Sequence, residues 1–319
     1  MGATLTIDPG GERFCLNGRA TFLLGASYFA GLGVSEDFVE DDLTDLKLAG
    51  VNWIRVWATW GAFEQGLSAF DEDGDERSGD WEKLLWLCGF ADKLTTVVEV
   101  TFSRGGAGAA GPGVLSGDEA HLNAVGILAE ALRPCRNVYF DLAAERNLPG
   151  PGHVPIGFVK RLRDRVKQVD PGRLVTASHA GDVEPDRLYE YLMTAKVDFL
   201  APHRPRSAES PGETEQKTRT LRSRMARLGK VVPVHYQEPF RRGFGEWQPR
   251  AGDFLTDLTG AVAAGAAGWC FHNGPARQAP DGRPRRGFDM RSSEGRLVDQ
   301  LEDEERTALR KMKEIAHRP

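Results

Sequence analysis

Four cysteines in 319 residues, Cys15, Cys88, Cys135 and Cys270, are too few and too scattered for a disulfide framework or a Cys-x-x-Cys zinc site. They read as buried thiols. No run of about 18 apolar residues occurs, so no membrane contact is expected. The chain starts MGATLTIDPGGERF, without the basic and apolar stretches of a secretory signal. As written it is expected to be cytoplasmic, or secreted or periplasmic if a leader has been removed. Positive charge is also short: a net charge of −5 provides no basic field, which argues against nucleic acid as a partner. Phosphate-cradling loops are missing as well. Segments 105–113 and 147–153 are rich in glycine and proline but lack G-x-G-x-x-G or G-K-[ST] spacing, so they read as rim loops and no cofactor is expected.

What the chain does have is a hydrophobic content of 40% and a regular alternation of elements. Short apolar runs, nearly continuous rather than alternating, fall at 21–29, 51–57, 95–102, 137–142, 174–178, 197–201, 231–236 and 268–271. Amphipathic stretches follow at 35–49, 81–94, 117–132, 154–169, 185–195, 213–228, 251–264 and 294–317. Eight βα units with strands apolar on both faces predict an α/β fold, a (β/α)8 TIM barrel in a single domain spanning 1–319. The first 20 residues read as an N-terminal β-hairpin, a lid or plug.

In such a barrel chemistry belongs where strands end at their carboxyl side. Two acids are delivered there in matching fashion: Glu145 in NVYFDLAAERN after the fourth strand, and Glu238 in VVPVHYQEPF after the seventh. Two carboxylates facing each other across a glycosidic bond can act as proton donor and nucleophile, and in a retaining enzyme they lie about 5 Å apart. Nearby tryptophans offer flat apolar faces to sugar rings. Glu99 sits in mid-strand, where an acid must be paired or protonated if it points inward, and is read as structural.

The Phe14-x-x-Asn17-Gly18 hairpin, Arg55 in GVNWIRVW, the Glu after strand four, the Glu-Pro after strand seven and Trp269 on strand eight together resemble the clan A glycoside hydrolases. These are retaining (β/α)8 enzymes that include cellulase-like and mannanase-like families. The resemblance implies that Glu145 is the acid/base, Glu238 the nucleophile, and Arg55 the group that keeps the nucleophile ionised. Substrate contacts are expected from Arg55, Trp57, Trp60, His203, Arg204, Tyr236, Trp269 and His272. The clan usually carries Asn directly before the acid/base, to bond the neighbouring sugar hydroxyl, and here that position is Ala144. Either the substrate differs at that hydroxyl, or another group such as Asn147 or His203 substitutes, or catalysis is lost.

A second pattern lies on the same rim. Arg104, Arg146, Arg204, Arg206, Arg241, Arg242, Arg277, Arg285 and Arg286 all fall in loops at the carboxyl end. Guanidinium forks there match an anionic carbohydrate substrate. Alternatively they pair with Asp141, Asp182, Glu246 and Asp289 to hold the loops. Two other functions stay open. Glu145, Asp182, His203 and Glu238 also resemble the ligand set of a metal-dependent sugar isomerase or epimerase, with His179, His235 and His272 close by. A catalytically silent carbohydrate-binding barrel is the third reading, motivated by Ala144.

Overall fold

The computed structural model describes residues 2–29, 31–59, 67–104, 115–150, 152–273 and 296–317. Trp60, Arg277, Arg285, Arg286 and Asp289 lie outside them.

The chain opens on a small antiparallel sheet of β1 (Leu5–Ile7), β2 (Phe14–Leu16) and β3 (Arg19–Ala20). The expected hairpin is β1 against β2, with Leu5 opposite Leu16 and Ile7 opposite Phe14. β3 is an addition to it. Asn17 and Gly18 have φ of 52° and 78°, the left-handed pair that a two-residue hairpin turn requires, so they start a second hairpin rather than end the unit. Phe14 is fully buried against the rings of Tyr139, Phe199 and His235, with centroids 6.4, 5.2 and 5.3 Å away. Those three side chains belong to the first layer of the barrel interior. The sheet is therefore a plug at the amino end.

The barrel follows as β4 (Leu23–Ser27), α1 (Glu36–Leu48), β5 (Trp53–Trp57), α2 (Asp80–Lys93), β6 (Val97–Thr101), α3 (Asp118–Ala131), β7 (Val138–Asp141) and α4 (Ile156–Val169). After these come β8 (Val175–Thr176), α5 (Pro185–Tyr189), α6 (Ser210–Arg227), β9 (His235–Tyr236), α7 (Ala251–Ala263), β10 (Gly268–Phe271), α8 (Leu297–Gln300) and α9 (Asp303–Ala316). Seven strands form one parallel sheet in the order β8-β7-β6-β5-β4-β10-β9, which pairs the first barrel strand with the last. Segment 197–202 fills the remaining gap: His179 pairs with Pro202 and Leu200 with Val234, both parallel. The eight-fold barrel is therefore present, with its expected sixth strand reduced to bridges. Pro202 and Pro233 explain that reduction, because neither has an N–H to give to a ladder. Pro233 also shortens the expected 231–236 strand to β9.

Side chains alternate across each strand. Trp53, Leu23, Val97, Tyr139 and Cys270 cluster with Phe14 inside the barrel, whereas Ile54, Val56, Val98, Trp269 and Phe271 pack outward under the helices. The helices are placed by ordinary signals. Ser35 accepts a hydrogen bond from the Phe38 N–H to start α1, and Gly50, at φ 91°, follows its end. In α4 the buried residues Phe158, Val159, Leu162 and Val166 lie on one face. The expected last helix is divided at 301–302, where the Glu302 N–H donates to the Glu305 carboxylate at 2.8 Å and caps α9. The 185–195 helix changes to π-type winding over Glu190–Ala195. No helix among the described residues is long and apolar enough to cross a membrane.

Candidate active site

Arg55 is the centre of a buried charge network at the carboxyl end. Inward alternation on β5 puts it between Trp53 and Trp57, fully buried. Its Nε donates to Glu99 at 2.8 Å and to Thr101 Oγ1 at 3.2 Å, its Nη2 reaches Asp141 at 3.4 Å, and its Nη1 donates to Glu238 Oε2 at 2.5 Å. Burial opposes its charge, but the carboxylates of Glu99, Glu238 and Asp141 outweigh that and fix it as a cation. The mid-strand acid is thus paired, as a buried acid must be. Glu99 also accepts from Tyr139 Oη at 2.8 Å, and that oxygen lies 2.8 Å from His235 Nε2. Burial pushes Glu99 up to about 7 despite Arg55, and burial pushes His235 down to about 3.

Glu145 reaches the mouth through a shaped turn. Asp141 Oδ1 accepts from the N–H groups of Ala143 and Ser178, and Ser178 Oγ accepts from the Glu145 N–H at 2.9 Å. Glu145 has φ 45°, a left-handed backbone that costs a non-glycine residue about 1–3 kcal/mol and is concentrated at functional sites. Glu238 follows β9 directly. A carboxylate oxygen of each acid and a ring nitrogen of His203 all lie within 4.8 Å of one another. His203 Nδ1 is 3.1 Å from Glu145 and 3.7 Å from Glu238, and its Nε2 has no hydrogen-bond partner among the described residues.

The two acids differ in support. Burial raises Glu238, but His272, His203 and Arg206 more than offset it and hold its carboxyl well below the usual range. Glu145 is pushed up by burial and by the charge of Glu238, while His203 and Arg206 pull it down, leaving it lowered. Two guanidiniums, Arg55 and Arg206, bond to Glu238 and neither bonds to Glu145, so a proton shared by the pair rests on Glu145. His272 Nε2 is 3.3 Å from Glu238 Oε1 and its Nδ1 is 2.7 Å from Ser27 Oγ. Burial lowers this imidazole to about 3, so it is neutral and serves Glu238 as a hydrogen-bond donor when the Ser27 hydroxyl donates to Nδ1.

The other expected contacts divide. Trp57 stands at the mouth with the Arg55 guanidinium 4.5 Å from its ring centroid, and it stacks on Phe29 at 4.0 Å. Trp269 is a correction: it is fully buried outside the barrel, where its Nε1–H donates to Asp257 of α7 at 2.6 Å. Tyr236 is another. It also faces outward, and its hydroxyl lies 2.6 Å from Thr218 Oγ1 on α6. Arg204 is buried and binds Asp182, the Ser210 carbonyl and Thr214, so it fixes the loop before α6 rather than facing a sugar. Asn147 spends its amide on Ala180 and His179, which leaves His203 as the residue beside Glu145 in place of the missing Asn.

Most of the described rim arginines are held in pairs: Arg104 with Asp118, Arg146 with Glu190, Arg204 with Asp182, and Arg242 with Glu302. Arg206 differs, since its partner is Glu238 Oε1. Asp182 also pairs with Lys217, away from the acids, so the four-ligand metal set does not assemble. Glu145, His203 and Glu238 remain close enough to share an ion, but guanidinium groups already engage both oxygens of Glu238. Sequence reasoning missed Ser27, Asp141 and Ser178 as parts of the site. Ser27 and Asp141 lie at strand ends, where inward position was the available signal.

No protein-family model and no curated protein matches the chain. Among solved structures it resembles a glycoside hydrolase family 5 protein from Bacteroides vulgatus, at 16% identity over 97% of this chain and 70% of that one, with a TM-score of 0.68. It also resembles an endo-1,4-beta-mannanase from Rhizomucor miehei (12% identity, 98% of each chain, TM-score 0.70). An endo-beta-1,4-mannanase from Thermotoga petrophila is similar as well (14% identity, 94% of this chain and 78% of that one, TM-score 0.65). At these identities the likeness establishes the fold.

Proposed function

We propose that this chain is a retaining glycoside hydrolase acting on an oligo- or polysaccharide, with Glu238 as nucleophile and Glu145 as acid/base. The observation that carries the reading is the approach of a carboxylate oxygen of each acid to within 4.8 Å, near the separation of about 5 Å that double displacement needs and below the roughly 6.5–9.5 Å of inverting pairs, which must hold an attacking water beside the sugar. Glu238, held ionised, attacks the anomeric carbon while Glu145 gives its proton to the leaving oxygen, so the glycosidic bond breaks as a glycosyl ester forms. Water then attacks the same carbon. Glu145 takes its proton, and the ester bond breaks to regenerate the Glu238 carboxylate. Arg55 keeps Glu238 charged and aimed, and His203, between both acids, orients Glu145. An anionic glycan is the narrower substrate class, because the rim guanidinium of Arg206, held on the nucleophile, matches a carboxylate or sulfate.

The mannan-directed names among the structural neighbours put β-1,4-mannan first in a substrate panel that also includes uronate-containing and sulfated glycans. Glu145→Ala is expected to lower kcat by about 10²–10⁴ on substrates with poor leaving groups, and Glu238→Ala to remove turnover. Proton NMR of the first product is expected to show the anomer of the substrate. Release of the opposite anomer would overturn the retaining mechanism, and no turnover on any glycan would favour the silent binding barrel.

A further inference from the structure

The nucleophile is fully engaged. Glu238 Oε2 takes the Arg55 bond at 2.5 Å, and Oε1 takes Arg206 together with His272 at 3.3 Å. The two guanidiniums are held very differently. Arg55 is buried and anchored from below by Glu99 and Asp141, so it stays with Glu238 throughout. Arg206 comes from the rim, in the stretch between the Pro202 bridge and α6, with its side chain 17% exposed. Its carboxylate contact is Glu238, and its guanidinium lies 4.1 Å from the Phe244 ring centroid. Arg241 lies over the same ring at 5.1 Å. Two cations thus gather around one aromatic ring, and one of them binds the acid.

An oxygen that accepts a charge-assisted bond presents less electron density to carbon, and Arg206 also occupies the approach to it. Attack through Oε1 requires this guanidinium to leave. Losing a hydrogen bond to a charged group costs about 1.5–3 kcal/mol unless the donor finds another anion. A carboxylate or sulfate on the bound sugar supplies one, and Arg241 adds a second cation for the same group.

We propose that Arg206 is a specificity-determining cap: it pairs with Glu238 in the free protein and transfers to an anionic substituent of the substrate, which uncovers the nucleophile. This rests on the glycoside hydrolase reading. It adds that neutral glycans meet a capped nucleophile and anionic ones release it.

The test compares wild type with Arg206→Gln on uronate-containing, sulfated and neutral oligosaccharides of the same length. Wild type is expected to favour one anionic set in kcat/KM by about 10–150-fold, the range that 1.5–3 kcal/mol gives. In Arg206→Gln kcat/KM falls much further on the anionic set than on the neutral set, so the anionic advantage disappears, and the acidic limb of the pH profile moves upward as Glu238 loses a cation. Equal loss on neutral and anionic substrates would overturn the proposal, since Arg206 would then merely support the nucleophile. Binding provides a reading independent of turnover. By calorimetry, a uronate or sulfated trisaccharide should bind wild type more tightly than its neutral counterpart, in a salt-sensitive way, and this preference should be lost in Arg206→Gln. If no substrate turns over but the preference is present, the hydrolase reading fails and the anion site stands. If binding shows no preference, the cap is refuted even in an active enzyme.

Discussion

Glu99→Gln tests the buried network beneath the nucleophile. Glu99 is an acid whose burial lifts it from 4.5 to about 7 in the folded chain, with Arg55 opposing the rise. A folded-state value above the unfolded one means that the folded protein binds the proton more tightly. The associated stability is present in full below the unfolded value near 4.5 and is lost as pH rises through 7. A rise from 4.5 to about 7 corresponds to about 3 kcal/mol. Gln cannot titrate, yet it keeps an oxygen for Arg55 Nε and Thr101, and its amide can donate to Tyr139 if that hydroxyl turns its proton to His235 Nε2. Urea unfolding of both proteins from pH 4.5 to pH 8 checks this. The wild type should lose about 3 kcal/mol relative to Glu99→Gln across that interval, most of it before pH 7. A difference between the two that does not change with pH would refute the reasoning, because Glu99 would then be ionised throughout.

Trp269→Phe removes the donor to Asp257, a buried carboxyl raised to about 6 by burial, and should lower unfolding stability by about 1–3 kcal/mol with KM unchanged. A raised KM at unchanged stability would instead restore the sugar-platform role. Dialysis against EDTA should leave turnover unaltered, because guanidiniums occupy both oxygens of Glu238. Loss of activity restored by a divalent cation would point to the isomerase-like reading.

Much of the barrel could be read from the chain because a parallel strand buried on both faces must be apolar throughout, and such runs recur eight times. The readings that moved did so for local backbone reasons. Pro202 and Pro233 reduced a strand to bridges, and Asn17-Gly18 made a turn where an end was expected. Trp269 and Tyr236 failed on a finer point, strand parity. Trp269 is the neighbour of the inward Cys270 and falls on the helix side with Phe271. Parity was available in the sequence. It does not extend past a strand end, however: Glu238 shares the parity of the outward Tyr236 but lies beyond β9, where the chain no longer alternates.

Register explains why Arg55 could be recognised while its surroundings could not. Ser27 pairs with Arg55, Arg55 with Glu99, and Glu99 with Tyr139, so four adjacent strands place polar side chains side by side in one inward layer. No single strand reveals that layer, because each contributes only one or two polar residues to an otherwise apolar run. The layer is costly, since each of its charges is removed from water, and a buried ion pair is weak evidence of stability by itself. Its arrangement makes sense in relation to what lies above. Glu99 and Asp141 neutralise Arg55 from below and the sides, and the remaining guanidinium edge faces Glu238. A cation held this firmly stays in place and keeps its bond to Oε2 while the carboxylate attacks through Oε1. Arg206, anchored on no second acid among the described contacts, can move away, and that asymmetry between the two guanidiniums is what makes one a support and the other a cap.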